Sequence, residues 1–169
     1  INNWVANIAK IALSDALDNI KFFARKIATF ASIIIGNMIA GILKKYWGYE
    51  GFRPMQEEII NSALEGKDTL ALMPTGGGKS VCFQVPAMAR EGICLVVSPL
   101  IALMKDQVQN LNNKGIKALA IYSGMPYSKI DITLDNAIYG DFKFLYVSPE
   151  RLHTPLFKER VKRMEINFL

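Results

Sequence analysis

The sequence predicts an α/β protein: a three-layer domain around a mostly parallel sheet, preceded by a helical N-terminal segment. Three observations predict it. From Asp68 onward, short apolar runs alternate with longer amphipathic stretches. Those short runs are apolar on both faces, as strands covered by helices on either side must be. Residues 1–37 instead carry apolar side chains every three or four positions, the period of a helix face. Composition agrees: with 51% hydrophobic and 21% charged residues, a chain of 169 residues can close a core of its own. The net charge of +5 is compatible with a polyanionic partner but does not identify one. Both ends read as cut, because the chain starts at Ile1 rather than Met and stops within the apolar run Ile166-Asn-Phe-Leu169.

In chain order, the helical segment comes first. Trp4, Ile8, Ile11, Ala12, Ala16, Ile20, Phe23, Ile27, Phe30 and Ile34 form one side, and Lys10, Asp15, Asp18, Lys21, Arg25 and Lys26 fall mostly on the other. The stretch 27–43 is uncharged and flanked by Arg25-Lys26 and Lys44-Lys45. It is shorter than the roughly 20 residues that a bilayer core needs, and it contains Thr29, Ser32, Gly36, Asn37 and Gly41. It reads as a packed or interfacial amphipathic helix, and no membrane partner is expected.

Strands are expected at 69–73, 93–98, 118–122, 144–148 and 166–169, with helices between them at 79–90, 100–114, 129–138 and 155–163. Gly115 suits the end of the second helix, where a left-handed residue is wanted. Cys82 and Cys94 lie in apolar surroundings, and with a single His153 they assemble no zinc-ligand set. Two buried thiols in a reducing compartment are the expectation, and the cytoplasm is the expected location.

The most specific signal is Met73-Pro-Thr-Gly-Gly-Gly-Lys-Ser80, which follows the first expected strand and opens the first helix. That is the context of a phosphate-binding P-loop. Gly76, Gly77 and Gly78 allow backbone conformations closed to other residues, so that successive N–H groups after Thr75 can face phosphate oxygens. Lys79 can reach the β- and γ-phosphates, and the Ser80 hydroxyl can ligate Mg²⁺. Lys79 and Ser80 are therefore the expected catalytic residues. Met73 stands where the general pattern has glycine, a departure softened by the three glycines that follow. Upstream, Gln56 offers an amide suited to an adenine edge, and Tyr49 and Arg53 can stack on a base.

At this point the sequence resembles the RecQ family of DNA helicases. Gly48-Tyr-Glu-Gly-Phe-Arg-Pro-Met-Gln56 looks like the family's adenine-recognition motif 0, and residues 73–80 are similar to its motif I, Met included. Val96-Val-Ser-Pro-Leu-Ile-Ala-Leu-Met-Lys-Asp-Gln107 looks like motif Ia, and Tyr146-Val-Ser-Pro-Glu-Arg-Leu152 resembles motif Ib. The likeness spans about residues 38–169.

It implies part of a first RecA-like lobe, with ATP and Mg²⁺ as cofactors and single-stranded and forked duplex DNA as partners. The implied activity is ATP-driven translocation along single-stranded DNA with duplex unwinding, 3′-5′ by resemblance alone, in recombination and repair. It also implies that the Asp-Glu-Ala-His motif II lies beyond Leu169, so that residues 1–169 alone bind nucleotide weakly and do not hydrolyse it. Residues 1–37 depart from the family and are expected to be an extension or translated upstream sequence, with Met38 a suitable start.

In such an architecture single-stranded DNA crosses the carboxyl edge of the sheet. Ser98-Pro99-Leu100 and Ser148-Pro149-Glu150-Arg151 both follow strands and open helices, offering hydroxyls and free N–H groups to phosphates. Lys105 and Arg151 are the expected basic contacts, with Ser123 a further one. Two alternatives stay open. One is an RNA helicase of the DEAD-box class, whose motif I usually opens with Ala. The other is a non-enzymatic nucleotide-binding or interaction module.

Overall fold

The computed structural model describes the backbone from Asn2 to Leu169, and the side chains of Leu17 and of residues 20–169. The expected helix face from Trp4 to Ala16 lies outside those side chains. Two compact units result, Ile1–Gly41 and Ile42–Leu169, whereas the sequence changes character after residue 37.

Helix α1 (Asn2–Trp47) accounts for the first unit and runs on into the second. Over Ile20–Trp47 it is long and apolar enough to cross a membrane, by length and composition only. Ile20, Phe23, Ile27, Phe30 and Ile34, at alternating spacings of three and four, are all more than half exposed. Farther along the expected packed or interfacial stretch 27–43, Ile39 and Leu43 are buried.

The second unit carries the α/β domain. Its elements are α2 (Gln56–Leu64), α3 (Lys79–Met88), β1 (Ile93–Val97), α4 (Ile101–Asn113), β2 (Ala118–Ile121), α5 (Tyr127–Tyr139), β3 (Phe144–Val147), α6 (Pro155–Val161) and β4 (Ile166–Phe168). The strands form one sheet in the order β2-β3-β1-β4, and every pair is parallel. Strand β3 is buried at all four positions, which is why Phe144-Leu-Tyr-Val147 reads as a continuous apolar run rather than an alternating one.

Alternation along the strands sorts the core into two layers. Leu145 and Val147 join Ile93, Leu95 and Ile121 under Ile130 and Leu134 of α5 and Phe157 of α6. Phe144 and Tyr146 join Cys94 and Ala118 against Ala87 of α3 and Met104 and Leu111 of α4. Gly115, at φ +77°, closes α4, and its N–H bonds to the Asn112 carbonyl at 2.9 Å.

One expected strand does not form. Residues 69–73 belong to no strand, with Leu70 and Leu72 at 85% and 77% exposed. A cleft of about 860 Å³, lined by Thr69, Ala71, Val97 and Phe168, lies along this segment. The segment joins no ladder of the sheet, and local β propensity alone does not make a strand. The other four strands and all four helices expected in this unit are present, with ends moved by one to two residues in most cases.

Candidate nucleotide-binding site

The loop 73–80 wraps the N-terminus of α3. Gly76 and Gly78 both have φ +79°, in the left-handed region, which explains why glycine is required there. A Cβ on Gly78 would run into the Gln56 Nε2, so glycine also allows the close approach of a side chain. The loop is tightened by Gly77 N–H donating to the Pro74 carbonyl at 3.0 Å and Val81 N–H donating to Gly78 at 3.0 Å. The N–H groups of Lys79 and Ser80, ahead of Val81 in the first turn of α3, have no carbonyl of their own helix to bond, and the positive helix end faces the loop.

Lys79 is exposed, and its Nζ donates to the Pro74 carbonyl at 3.1 Å, which ties its ammonium to the loop. Met73, in the position where the general pattern has glycine, receives the Cys82 thiol on its sulfur at 3.6 Å. Its side chain therefore packs beneath the loop and leaves the glycines to shape the cradle. Cys82 and Cys94 are both free and buried. Burial raises the Cys82 thiol above its ordinary value and pushes that of Cys94 up to about 12.

The upstream residues join the same site. The Gln56 side chain, 4% exposed, accepts from Arg53 N–H at 2.8 Å and donates to the Gly77 and Gly78 carbonyls at 3.3 Å each. Arg53 Nη1 donates to the Gly76 carbonyl at 2.6 Å. Both amide hydrogens of Gln56 are thus committed to the loop, and one lone pair of its oxygen stays open. This tie between residues 53–56 and 76–78 is not visible in the sequence, because it joins backbone carbonyls over twenty positions away.

Tyr49 and Arg53 line a cleft of about 580 Å³ together with Gln56, Thr75, Gly76, Gly78, Lys79 and Ser80. Trp47, Gln84, Gln107 and Lys114 complete walls that sequence reasoning did not assign. Among the described residues no carboxylate or imidazole lines this cleft, and no cluster of His, Cys, Asp or Glu suited to a metal is present. Arg53, Lys79 and Lys114 give the cleft a basic lining.

The carboxyl edge of the sheet gathers the other expected contacts, although not all in the same way. Ser98 accepts the Leu100 N–H at 3.3 Å, and Pro99 and Leu100 are exposed beside it. Lys105 lies over the Tyr122 ring at 4.9 Å, and Arg151 Nε donates to the Tyr122 carbonyl at 3.3 Å. Ser123 bonds to the Glu150 carboxylate, which lowers the carboxyl below its ordinary range. Segments 98–105, 122–123 and 149–151 are thereby tied into one surface. Ser148 closes β3 and is 1% exposed, whereas Pro149, Glu150 and Arg151 beyond it reach the surface.

Comparison with known sequences follows the same residues. Residues 53–169 match the family described as DEAD/DEAH box helicase. The ATP-dependent DNA helicase RecQ of Haemophilus influenzae is 44% identical over 128 residues, covering 76% of this chain and 21% of the relative. The proteins of the same name from Pasteurella multocida and a Synechocystis strain are 40% and 46% identical over 140 and 110 residues. Those two alignments cover 83% and 65% of this chain, and 22% and 23% of the relatives. The chain thus spans about a fifth of the length of these curated relatives.

Proposed function

The chain belongs to the DEAD/DEAH box helicase family, and on that premise we propose that it is the ATP-binding portion of an ATP-dependent DNA helicase of the RecQ kind. The observation that carries the reading is the cradle 76–80 locked to Arg53 and Gln56. In it, backbone N–H groups at the head of α3 bind the phosphate oxygens, and Lys79 leaves the Pro74 carbonyl to neutralise the β- and γ-phosphates. Ser80 would offer its hydroxyl to Mg²⁺, which when bound would neutralise charge developing on the transferring phosphoryl group. Tyr49 and Arg53 stack on the base, and the open lone pair of Gln56 accepts from the adenine amino group. Two reduced, buried cysteines favour a cytoplasmic location.

Single-stranded DNA takes the carboxyl edge of the sheet, with Ser98, Lys105, Ser123 and Arg151 on its phosphates. The contacts are to backbone rather than bases, so sequence preference is weak and affinity falls with salt. The test is ATP hydrolysis by the full-length gene product, with and without oligonucleotide. Single-stranded DNA is expected to stimulate turnover well above RNA, and Lys79→Ala to abolish it. Stronger stimulation by RNA overturns the DNA assignment, and near-normal turnover in Lys79→Ala overturns the phosphate role.

A further inference from the structure

A buried amide links the helix of the phosphate cradle to the elements that lead to the carboxyl edge of the sheet. Gln84 lies one helical turn beyond Ser80 on α3 and is 3% exposed. Its Nε2 donates to Gln107 Oε1 at 3.1 Å and to the Tyr146 hydroxyl at 3.3 Å. Gln107 sits on α4, the helix that opens after Ser98-Pro99-Leu100 and carries Lys105. Tyr146, 2% exposed, sits on β3, which runs directly into the segment 148–151. A single amide therefore holds the helix of the nucleotide loop to both elements that lead to the carboxyl edge.

Packing does not require this polarity. The layer that Tyr146 belongs to is otherwise apolar, with Cys94, Met104, Leu111 and Phe144, and a leucine would match Gln84 in size. A buried amide costs desolvation unless it is bonded, and both hydrogens here are bonded to side chains of different elements. The arrangement is geometrically exacting: moving α3 relative to α4 or β3 breaks one bond and leaves a buried polar group unpaired. Tyr146 stays neutral, its phenol pushed up to about 12 by burial, so it remains a hydroxyl partner throughout the ordinary pH range.

We propose that Gln84 is a positioning residue that couples occupancy of the nucleotide cleft to the placement of the segments 98–105 and 148–151. The inference rests on the reading that ATP takes the cleft and single-stranded DNA the carboxyl edge. Coupling of this kind is a ratio of affinities and acts equally in both directions.

The experiment measures the Kd of the 169-residue chain for a labelled oligo-dT by fluorescence anisotropy, with and without saturating ATP and Mg²⁺. ATP affinity is measured separately by calorimetry. Wild type is expected to change its oligo-dT Kd by about fivefold or more on nucleotide addition. Gln84→Leu brings that ratio to within about twofold of one, with a cooperative melt showing that the fold is intact. Tyr146→Phe removes one of the two links outside the cleft, and is expected to lower the ratio part-way while leaving ATP affinity alone within about twofold. A wild-type ratio in Gln84→Leu overturns the proposal. So does parallel weakening of both ligands with the ratio preserved, which is what a merely structural role gives. Wild type that binds both ligands without a ratio overturns the coupling alone, whereas wild type that binds neither overturns the function reading and the coupling with it.

Discussion

Gly78 carries two constraints at once, a left-handed backbone at φ +79° and the Gln56 amide against its Cα. Replacing it by Ala strains the backbone and pushes Gln56 off the loop carbonyls, so Gly78→Ala is expected to cost about 1–3 kcal/mol of stability and to weaken ATP binding strongly. Thermal melting together with calorimetric titration checks both effects, and an unchanged variant would show that the loop does not need this conformation. Burial of Cys94 and Tyr146 makes a second prediction at this scale. Both groups have folded values raised to about 12 from ordinary values of 9.0 and 10.0. A raised folded value gives stability that is full below the unfolded value and lost as pH rises through the folded one. The melting temperature should therefore fall as pH is raised above about 9, and Cys94→Ala should make that fall shallower. A melting temperature flat from neutral pH to pH 10.5 contradicts it. Met73 illustrates what sequence showed and what it left hidden. The glycines, Lys79 and Ser80 are legible because only those residue types shape a phosphate cradle. The sulfur contact that makes Met73 acceptable depends on Cys82 coming back one turn into α3.

Among the elements, β1, β2, β3 and β4 were legible as short apolar runs, since burial on both faces leaves a signal that needs no partner to be named. The segment 69–73 carries the same signal and forms no strand, because a strand is a property of a pair. Amide hydrogens of residues 69–73 in the 169-residue chain should consequently exchange far faster than those of β1 and β3. Equal protection would mean that the segment is paired after all. Helices α5 and α6 are held by Arg160, whose Nη2 meets Asp131 at 2.7 Å and whose Nη1 meets Asp135 at 2.5 Å. The Arg160 side chain is only 18% exposed and its Nε is buried without a partner. Truncation would leave two carboxylates four positions apart on one helix face, so Arg160→Ala is expected to cost about 1–3 kcal/mol in denaturant unfolding. A change under about 0.5 kcal/mol would place this cluster with ordinary surface pairs.

For the whole molecule, the α/β class, the parallel sheet and the position of the nucleotide loop followed from the sequence pattern. The pairing order β2-β3-β1-β4 did not, because register and neighbour choice are set by tertiary packing that one strand's residues do not encode. The tie of Arg53 and Gln56 to the loop, and the buried links from Gln84, escaped for the same reason. The cleft that we propose for ATP is lined by Arg53, Lys79 and Lys114 and, among the described residues, by no carboxylate. The central claim is that residues 73–80, closed by Arg53 and Gln56, form an ATP site. The most direct measurement is calorimetric titration of the 169-residue chain with ATP and Mg²⁺, beside Lys79→Ala and a phosphate-release assay. We predict saturable binding in wild type, a loss of at least about tenfold in affinity for Lys79→Ala, and no phosphate release above background. Absence of binding in wild type, or equal affinity in Lys79→Ala, would contradict the account.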